Sequence, residues 1–388
     1  MDDVVILSAV RTPIGKFGRN FKHVSAVELG TIAARAAVEA SGVDPTTIQQ
    51  GIFGTVLQAG LGQNLARQVS LNAGLDVRST AMTVNQVCGS SLKAIRLGQT
   101  AIMMGDADTV LVGGAENMSQ VPYLDTENRW GHKMGDETLI DGLLSDGLMD
   151  AFNQTPMGIT AENVATEFHV SRAEQDAFAL RSQQRAAQAQ ADHRFDAEIV
   201  PVTVGDHQVT TDEAVRTDTS AAKLAALKPA FKPDGTVTAG NAAGLNDGAA
   251  AMVLMRRSTA EAAGLPYLAV LKAYHESGID PALMGYAPTY AIQAALDQQH
   301  WTVADLDRIE LNEAFAAQSV AIARDLKLPS DKLNVNGGGI ALGHPLGASG
   351  TRIVVTLLHD LMRNDLHRGL AALCVGGGMG IALLIERP

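Results

Sequence analysis

Short apolar runs separated by longer amphipathic segments follow one another along most of the chain. The runs have the length of buried strands and lie at residues 4–7, 52–57, 82–87, 110–112, 252–255, 268–271, 309–311 and 370–375. Helical segments alternate with them, which is typical of an α/β protein built from layers of sheet and helix. The longest uncharged stretch, residues 369–385, is too short for a membrane-spanning helix and predicts a buried strand, a turn and a second strand.

Two helix starts are marked by side chains that satisfy backbone N–H groups. Ser25 with Glu28, and Ser171 with Glu174, each have the spacing of a capping box, in which a hydroxyl and a carboxylate accept hydrogen bonds at the helix start. The first of these helices is expected to end at Gly42, because glycine readily adopts the left-handed conformation found there.

The segment 118–244 breaks this alternation because, outside the helix that starts at Ser171, it is rich in Asp, Thr, Gly and Pro. We interpret it as an insertion that forms a lid, a binding loop or a subdomain. Its two flanks carry the similar segments Thr83-Val84-Asn85 and Asn334-Val335-Asn336. They suggest an internal duplication of two βαβ-type halves, although chance similarity explains the pattern equally well.

Length, charge and hydropathy narrow the class of protein. The 388 residues suggest two or three domains, and 46% hydrophobic residues with a mean hydropathy of +0.06 fit a compact soluble chain. The net charge of −12 argues against a nucleic-acid or anionic-membrane surface, so a polyanionic small ligand would need a local basic patch. The N-terminus lacks an export signal, and the chain has only two cysteines, which predicts a cytoplasmic location. The sequence does not exclude a disulfide bond between these two cysteines.

Cys88 lies where an apolar run gives way to a helical pattern. At a helix start, unpaired N–H groups and the positive end of the helix dipole favour the thiolate, so this position suits a nucleophile. The alternative is a small buried hydrophobic residue, which is the commoner role of a free cysteine.

Three further segments carry candidate chemistry. His344 lies in a glycine-rich loop, and Pro345 restricts its backbone, which suits a general base; a surface-loop histidine is the alternative. Cys374 ends a predicted strand before Gly376, where glycine N–H groups are free to bind an anion; a tight buried turn is the alternative. Asn312 follows another strand and places an amide at its end.

These segments occur together with other short motifs spread over the whole chain: Arg11-Thr12-Pro13, residues 85–89, Met157-Gly158, Ala161-Glu162-Asn163, Gly240-Asn241, and residues 246–250, 312–315, 343–350 and 374–380. In this order they resemble the thiolase family, most closely the biosynthetic acetoacetyl-CoA thiolases. The resemblance implies a duplicated five-layered α/β/α/β/α fold. It also implies an N-terminal half of residues 1–117 plus 245–268, a C-terminal half of residues 269–388, and an inserted loop domain of residues 118–244 for coenzyme A (CoA) binding and tetramerisation.

The resemblance also implies a role for each catalytic residue. Cys88 becomes acylated by the first acyl-CoA after His344 takes its proton, and Cys374 then acts as acid and base on the second acetyl-CoA. Asn312, through a held water, and His344 stabilise the enolate oxygen. The backbone N–H groups of Cys88 and Gly376 form the oxyanion hole. The implied activity is the reversible condensation of two acetyl-CoA molecules to acetoacetyl-CoA and CoA.

The positions that match the family's CoA site fall into two groups. Those expected to line the pantetheine tunnel are Leu148, Met157, Phe231, Ala239, Ala243, Leu245, Met284, Ala314 and Phe315. Arg216, Lys223 and Lys228 are expected to supply a basic patch for the phosphates.

Three positions depart from the family pattern. Ala243 replaces a serine, Pro156 replaces a histidine and Ser91 replaces the more usual glycine. The loss of the hydroxyl at position 243 predicts ordinary chemistry with weakened or altered CoA binding.

Other functions stay open at this point. One is a degradative 3-ketoacyl-CoA thiolase of broader chain length, and another is a non-catalytic carrier of acyl-CoA or lipid. A dinucleotide-binding oxidoreductase lacks support because no Gly-x-Gly-x-x-Gly follows a first strand. We expect acyl-CoA thioesters as substrates, no cofactor and no metal, no nucleic-acid or membrane partner, and a homotetramer built as a dimer of dimers.

Overall fold

The computed structural model of the chain describes residues 2–388, in which strands and helices alternate. The strands, β1 to β16, are Val4–Arg11, Gly15–Lys16, Gln50–Gly54, Thr80–Val84, Thr109–Asn117, Tyr123–Leu124, Ile140–Asp141, Met149–Asp150, Thr155–Pro156, Val202–Val204, His207–Val209, Asn246–Arg256, Ala269–Gly278, Arg308–Leu311, Arg368–Val375 and Met379–Glu386. The α-helices, α1 to α11, are Ala26–Ser41, Leu65–Asn72, Ser90–Met104, Met157–Glu167, Arg172–Ala191, Ala221–Ala225, Arg257–Ala262, Pro288–Gln299, Ala316–Asp325, Gly339–Leu342 and Ser349–Arg363.

One ten-stranded sheet runs through the molecule in the order β14-β15-β16-β13-β1-β12-β5-β3-β4, with β2 paired to β12. In the N-terminal part, β3 pairs in parallel with β4 and β5, and β12 and β1 follow antiparallel. In the C-terminal part, β14 pairs in parallel with β15 and with a bridge at Leu333, and β16 and β13 follow antiparallel. This repeated order agrees with the predicted duplication, and the two parts meet where β1 pairs with β13.

The sheet halves are covered by helices on both faces. Helices α3 and α11 pack against each other and against strands of both halves, so that Ile95, Val354, Val112 and Leu373 share one buried cluster. Burying one such side chain stabilises the fold by about 1.5–3 kcal/mol. Strands covered on both faces need near-continuous apolar sequence, which explains why β12 reads as a long buried run.

Outer helices complete the layers. Leu29 of α1 packs with Val253 of β12 in a second cluster, and Ile292 of α8 packs with Leu384 of β16 in a third. The succession is therefore helix, sheet, helix, sheet, helix.

The predicted element ends are confirmed in some places and wrong in others. Both capping boxes form, and Gly42 ends α1 with φ +69°. The strand, turn and strand predicted for residues 369–385 are β15, a glycine turn and β16. The predicted strands 52–57 and 82–87 end earlier, at Gly54 and Val84. After Gly54 the Val56 N–H turns to the buried Glu116 carboxylate, and after Val84 the Val87 N–H turns to Asn85 Oδ1.

Residues 118–244 contribute β6 to β11, which pair only among themselves, and helices α4 and α5, which pack on α9. Among residues 2–388, no helix has the length and apolar character to cross a membrane, and no cluster of His, Cys, Asp and Glu is placed to hold a metal ion. Cys88 and Cys374 are both free thiols, so the disulfide left open by the sequence does not form here.

Candidate active site

Cys88 lies on a tight turn between β4 and α3. Asn85 Oδ1 accepts the Val87 N–H at 3.0 Å, and Ser90 Oγ accepts the Gln86 N–H at 2.9 Å while donating to Val87 O at 2.6 Å. Val87 has φ +46°, a left-handed conformation that is rare for a β-branched side chain. Such strain is maintained only when its surroundings enforce it, and it often marks a functional site.

The Cys88 thiol is protonated at rest. Burial raises the pKa of Cys88 to about 12, while the backbone N–H groups of Gly376 and of Cys88 itself act in the opposite direction. Loss of hydration therefore outweighs the dipoles that favour the thiolate, so Cys88 would need a base to act as the nucleophile that the sequence predicts.

His344 lines the same cavity as Cys88 and is the candidate base, and its proton position follows from its contacts. Ser349 Oγ donates to Pro345 O at 2.8 Å, so it accepts from His344 Nδ1, which lies 2.6 Å away. This assignment leaves Nε2 unprotonated, at 3.4 Å from Asn312 Nδ2. The His344 backbone N–H donates to Asn246 Oδ1 at 3.0 Å and holds the loop in place.

The His344 ring is neutral at physiological pH. Burial, and then the positive charge of Arg352, lower the pKa of His344 to about 3. A neutral imidazole with a free Nε2 is ready to accept a proton.

This pKa shift predicts a pH-dependent stability. In the unfolded chain His344 takes up a proton below its ordinary pKa of 6.5, whereas the folded chain does not until about pH 3, so stability is lost as pH falls through this range. Between about pH 7 and pH 5, the free energy of unfolding should fall by about 2 kcal/mol more in the wild type than in His344→Asn. Urea titrations of both proteins at equal concentration measure it, and equal losses would contradict the shift.

The second thiol lies at the end of β15. Cys374 is fully buried, donates its S–H to Gln318 Oε1 at 2.7 Å and packs with Met284 and Ala314. Burial, and then the neighbouring Cys88, raise the pKa of Cys374 well above its ordinary value. Cys374 therefore holds a proton that it can donate.

The turn after Cys374 requires glycine for two different reasons. Gly377 and Gly378 have φ of +84° and +83°, in the left-handed region. At Gly376, a Cβ atom would lie 2.7 Å from Met157 Cε, so a side chain here would displace the end of Met157. The Gly376 N–H is thereby held next to the Cys88 sulfur, where a charged oxygen of a bound substrate would need a donor.

Asn312 is buried between these groups. Its Nδ2 faces His344 Nε2, and its Oδ1 lacks a hydrogen-bond partner within residues 2–388. A buried amide oxygen without a partner is costly, so it marks a position where a small polar group of a substrate or a water fits.

These residues surround one apolar cavity with about 490 Å³ of empty space, part of which is open to solvent. Cys88, His344 and Gly376 line it, and Cys374 and Asn312 lie directly behind the lining. The cavity also brings together most residues that the sequence predicts for the tunnel: Leu148, Met157, Ala243, Leu245, Met284, Ala314 and Phe315. Its size and apolar character suit the acyl end of a small ligand.

Comparison with known proteins then decides the family. Sequence models of the thiolase N-terminal domain and the thiolase C-terminal domain match residues 4–258 and 265–387. The chain belongs to the thiolase family. It is 51% identical to an acetyl-CoA acetyltransferase of Chromobacterium violaceum, with 100% of each chain covered.

Solved thiolase structures share this fold. The acetyl-CoA acetyltransferase of Bacillus anthracis matches with a TM-score of 0.97 at 43% identity, covering 100% of this chain and 99% of that one. Human mitochondrial 3-ketoacyl-CoA thiolase matches with the same TM-score at 42% identity and the same coverage. The predicted fold class is confirmed, and the oxidoreductase alternative is set aside.

Some predicted residues of this thiolase lie outside the cavity lining. Phe231 packs edge-on against Phe315, with ring centroids 6.3 Å apart, and Ala239 is exposed. Arg216, Lys223 and Lys228 are all exposed. Lys223 pairs with Asp218, whereas within residues 2–388 Arg216 and Lys228 have no carboxylate partner.

Sequence reasoning missed other parts of the thiolase site. Met118, Gly147, Gly244 and Leu346 also line the cavity, and each lies beside a residue or motif already singled out. Their position next to those residues and motifs was the signal that could have identified them.

Glu116 was also missed, although a carboxylate within the apolar run of β5 is a visible anomaly. It accepts hydrogen bonds from Thr55 Oγ1 and from the N–H groups of Val56, Leu57 and Gly347, at 2.8–3.1 Å. This buried carboxylate joins the end of β3 to the loop that carries His344.

Ser91 gives this thiolase a contact that a glycine would lack. Its Oγ accepts the Thr351 N–H of α11 at 2.9 Å, which ties the helix after Cys88 to the helix after His344. Gly54 and Gly114 leave room for it, because a Cβ atom at either glycine would clash with the Ser91 backbone or side chain.

Ser91→Ala is expected to lower the free energy of unfolding by about 1–3 kcal/mol, because it leaves the buried Thr351 N–H without a partner. Urea denaturation measures the change. Ser70→Ala is the matched control, since the buried Ser70 hydroxyl only donates to Ala66 O of its own helix. Equal losses in the two variants would contradict the role of Ser91.

Proposed function

We propose that this thiolase is an acetyl-CoA C-acetyltransferase, which joins two acetyl-CoA molecules into acetoacetyl-CoA and CoA, and also catalyses the reverse reaction. One observation carries the proposal: two protonated thiols and a neutral imidazole converge on a single apolar cavity. The name of the Chromobacterium violaceum relative supports the short-chain substrate.

The first half-reaction uses Cys88 and His344. His344 Nε2 takes the thiol proton, and the Cys88 sulfur attacks the carbonyl carbon of acetyl-CoA. The oxygen of the tetrahedral intermediate accepts hydrogen bonds from the N–H groups of Cys88 and Gly376. The intermediate then expels the CoA thiolate, which takes the proton from His344 and leaves an acetyl thioester on Cys88.

The second half-reaction uses Cys374. Its proton first passes to the neutral His344, and the Cys374 thiolate then removes a proton from the methyl carbon of a second acetyl-CoA. The resulting carbanion attacks the acetyl group on Cys88. His344 and Asn312, the latter through a water, stabilise the enolate oxygen. The new C–C bond forms as the C–S bond to Cys88 breaks, and the Cys88 thiolate takes the proton from His344. In thiolysis these steps run backwards, and Cys374 protonates the leaving enolate.

Chain length distinguishes this proposal from a degradative 3-ketoacyl-CoA thiolase, which the match to the human mitochondrial enzyme keeps as a second candidate. Leu148, Met157 and Met284 lie around the cavity beside Cys88 and favour a short acyl group. The test is thiolysis by CoA of acetoacetyl-CoA and of a medium-chain 3-ketoacyl-CoA. Activity on the short substrate alone supports the proposal, comparable activity on both favours the degradative enzyme, and activity on neither revives the carrier hypothesis.

Ala243 is expected to affect the binding of CoA. Its N–H donates to Ala314 O at 2.9 Å, and its side chain lines the cavity, where a serine hydroxyl would reach the pantetheine amide. Ala243→Ser should therefore lower the KM for CoA by about tenfold or less, with kcat unchanged, since one hydrogen bond contributes about 0.5–1.5 kcal/mol. Initial rates of thiolysis measure both constants, and an unchanged KM would contradict the predicted effect of the hydroxyl.

The phosphates of CoA are assigned to the basic group of Arg216, Lys223 and Lys228, of which Arg216 and Lys228 are free of carboxylate partners within residues 2–388. We further propose that residues 118–244 form a CoA-binding and assembly domain inserted in the N-terminal half. We also propose that acyl-CoA thioesters are the only small molecules required, and that the protein is a cytoplasmic homotetramer. The exposed Tyr123, Trp130 and Met134 support burial of this segment against another subunit. Light scattering of the purified protein tests the tetramer.

A further inference from the structure

Gln318 of α9 is fully buried and connects two residues of the active site. Its Oε1 accepts the Cys374 S–H at 2.7 Å, and its Nε2 donates to Asn312 O at 3.1 Å and to Ser319 Oγ at 3.2 Å. One amide therefore contacts both the second thiol and the backbone of the enolate-binding asparagine.

The orientation of this amide follows from its partners. Asn312 O is a carbonyl and only accepts, so the nitrogen of Gln318 must face it. Ser319 Oγ donates its own proton to Phe315 O at 3.2 Å, so it too accepts from the Gln318 nitrogen. The reversed amide would bring two acceptors together, and the oxygen of Gln318 consequently faces Cys374.

An acceptor facing a buried sulfur favours its protonated form. The thiol gains a hydrogen bond to Gln318 Oε1, whereas a thiolate would face the negative end of the amide dipole. Within residues 2–388, no hydrogen-bond donor to the Cys374 sulfur other than its own backbone offsets this preference.

We propose that Gln318 is a positioning residue that keeps the proton on Cys374 and so prepares the site for thiolysis, an inference that rests on the proposed function. In that direction the C–C bond of the substrate breaks, and the acetyl-CoA enolate takes the Cys374 proton. The thiolate left on Cys374 takes the proton that His344 had removed from Cys88. The neutral His344 then takes the proton of incoming CoA, whose sulfur attacks the acetyl group on Cys88. Synthesis must first remove the proton that Gln318 holds.

A spectroscopic test needs no enzymatic activity. In a Cys88→Ala background Cys374 is the only thiol of the chain, so the infrared S–H stretching band belongs to it alone. Adding Gln318→Met should move this band to higher frequency and increase the thiolate fraction at any given alkaline pH, because the acceptor is lost. Gln175→Met is the matched control, since Gln175 is equally buried but bonds Val170 O and Thr236 Oγ1.

An unchanged band and thiolate fraction in Gln318→Met would overturn the proposal. If this variant fails to fold, Gln318→Asn retains an amide but withdraws its oxygen from the sulfur, and the same changes are expected.

A kinetic test separates this role from a merely structural one. In the wild-type background, Gln318→Met should lower kcat for acetoacetyl-CoA thiolysis by about tenfold, because Cys374 loses the hydrogen bond that holds its S–H in one orientation. KM and the exchange of acetyl groups between acetyl-CoA and labelled CoA, which needs only Cys88 and His344, should stay unchanged. Equal losses in exchange and thiolysis would contradict positioning, whereas a wild type inactive in both assays would contradict the proposed function instead.

Discussion

Cys88→Ala is expected to lower the rate of acetoacetyl-CoA thiolysis by roughly 10⁴- to 10⁶-fold, the range found when a covalent nucleophile is removed. In the proposed mechanism the acetyl group becomes attached to the Cys88 sulfur, and Cys88 supplies the only thiol of the cavity lining within residues 2–388. Acetyl exchange between acetyl-CoA and labelled CoA should be lost as well. Steady-state thiolysis and isotope exchange measure the two effects.

The substitution removes only a small, buried sulfur, so the fold should be retained. Its unfolding midpoint in urea serves as the control for structure. Residual exchange above about one per cent of the wild-type rate, with an intact fold, would show that another group carries the acetyl.

Cys374→Ala is expected to separate the two half-reactions. Thiolysis and condensation should fall about 10²- to 10⁴-fold, because the only acid and base for the C–C step is gone. Acetyl exchange should continue near the wild-type rate, since Cys88, His344 and Gly376 still line the cavity. Reactions that contain labelled acetyl-CoA are quenched at successive times, which measures the rate of condensation and the rate of acetyl exchange.

Comparing Cys374→Ala with Cys88→Ala tests whether the two thiols act in different half-reactions. If the loss of Cys374 abolishes exchange as fully as the loss of Cys88, the division of labour between the two thiols is wrong. If it leaves thiolysis intact, Cys374 has no role as acid.

The local sequence predicts those parts of the site that depend on neighbouring residues. Cys88 before a helix, His344 before a proline and Cys374 before a glycine turn are each recognisable from a few adjacent positions. The thiolase resemblance then brought them to one site, and in the structure they meet at one cavity.

What the sequence could not predict depends on contacts between distant segments. Glu116 meets Gly347, and Ser91 meets Thr351, across hundreds of residues and between the two sheet halves. Gln318 meets Cys374 only once β15 and α9 are packed.

The resting protonation state of Cys88 also depends on distant segments. The helix start favours the thiolate locally, but burial by other segments decides the balance.

The measurement that tests the central claim most directly is mass spectrometry of the protein after brief mixing with acetoacetyl-CoA, followed by peptide mapping. We expect one acetyl group per chain, attached to the peptide that contains Cys88 and removed when free CoA is added. Absence of the acetyl group from an active enzyme, or its attachment to the peptide of Cys374, would contradict the account.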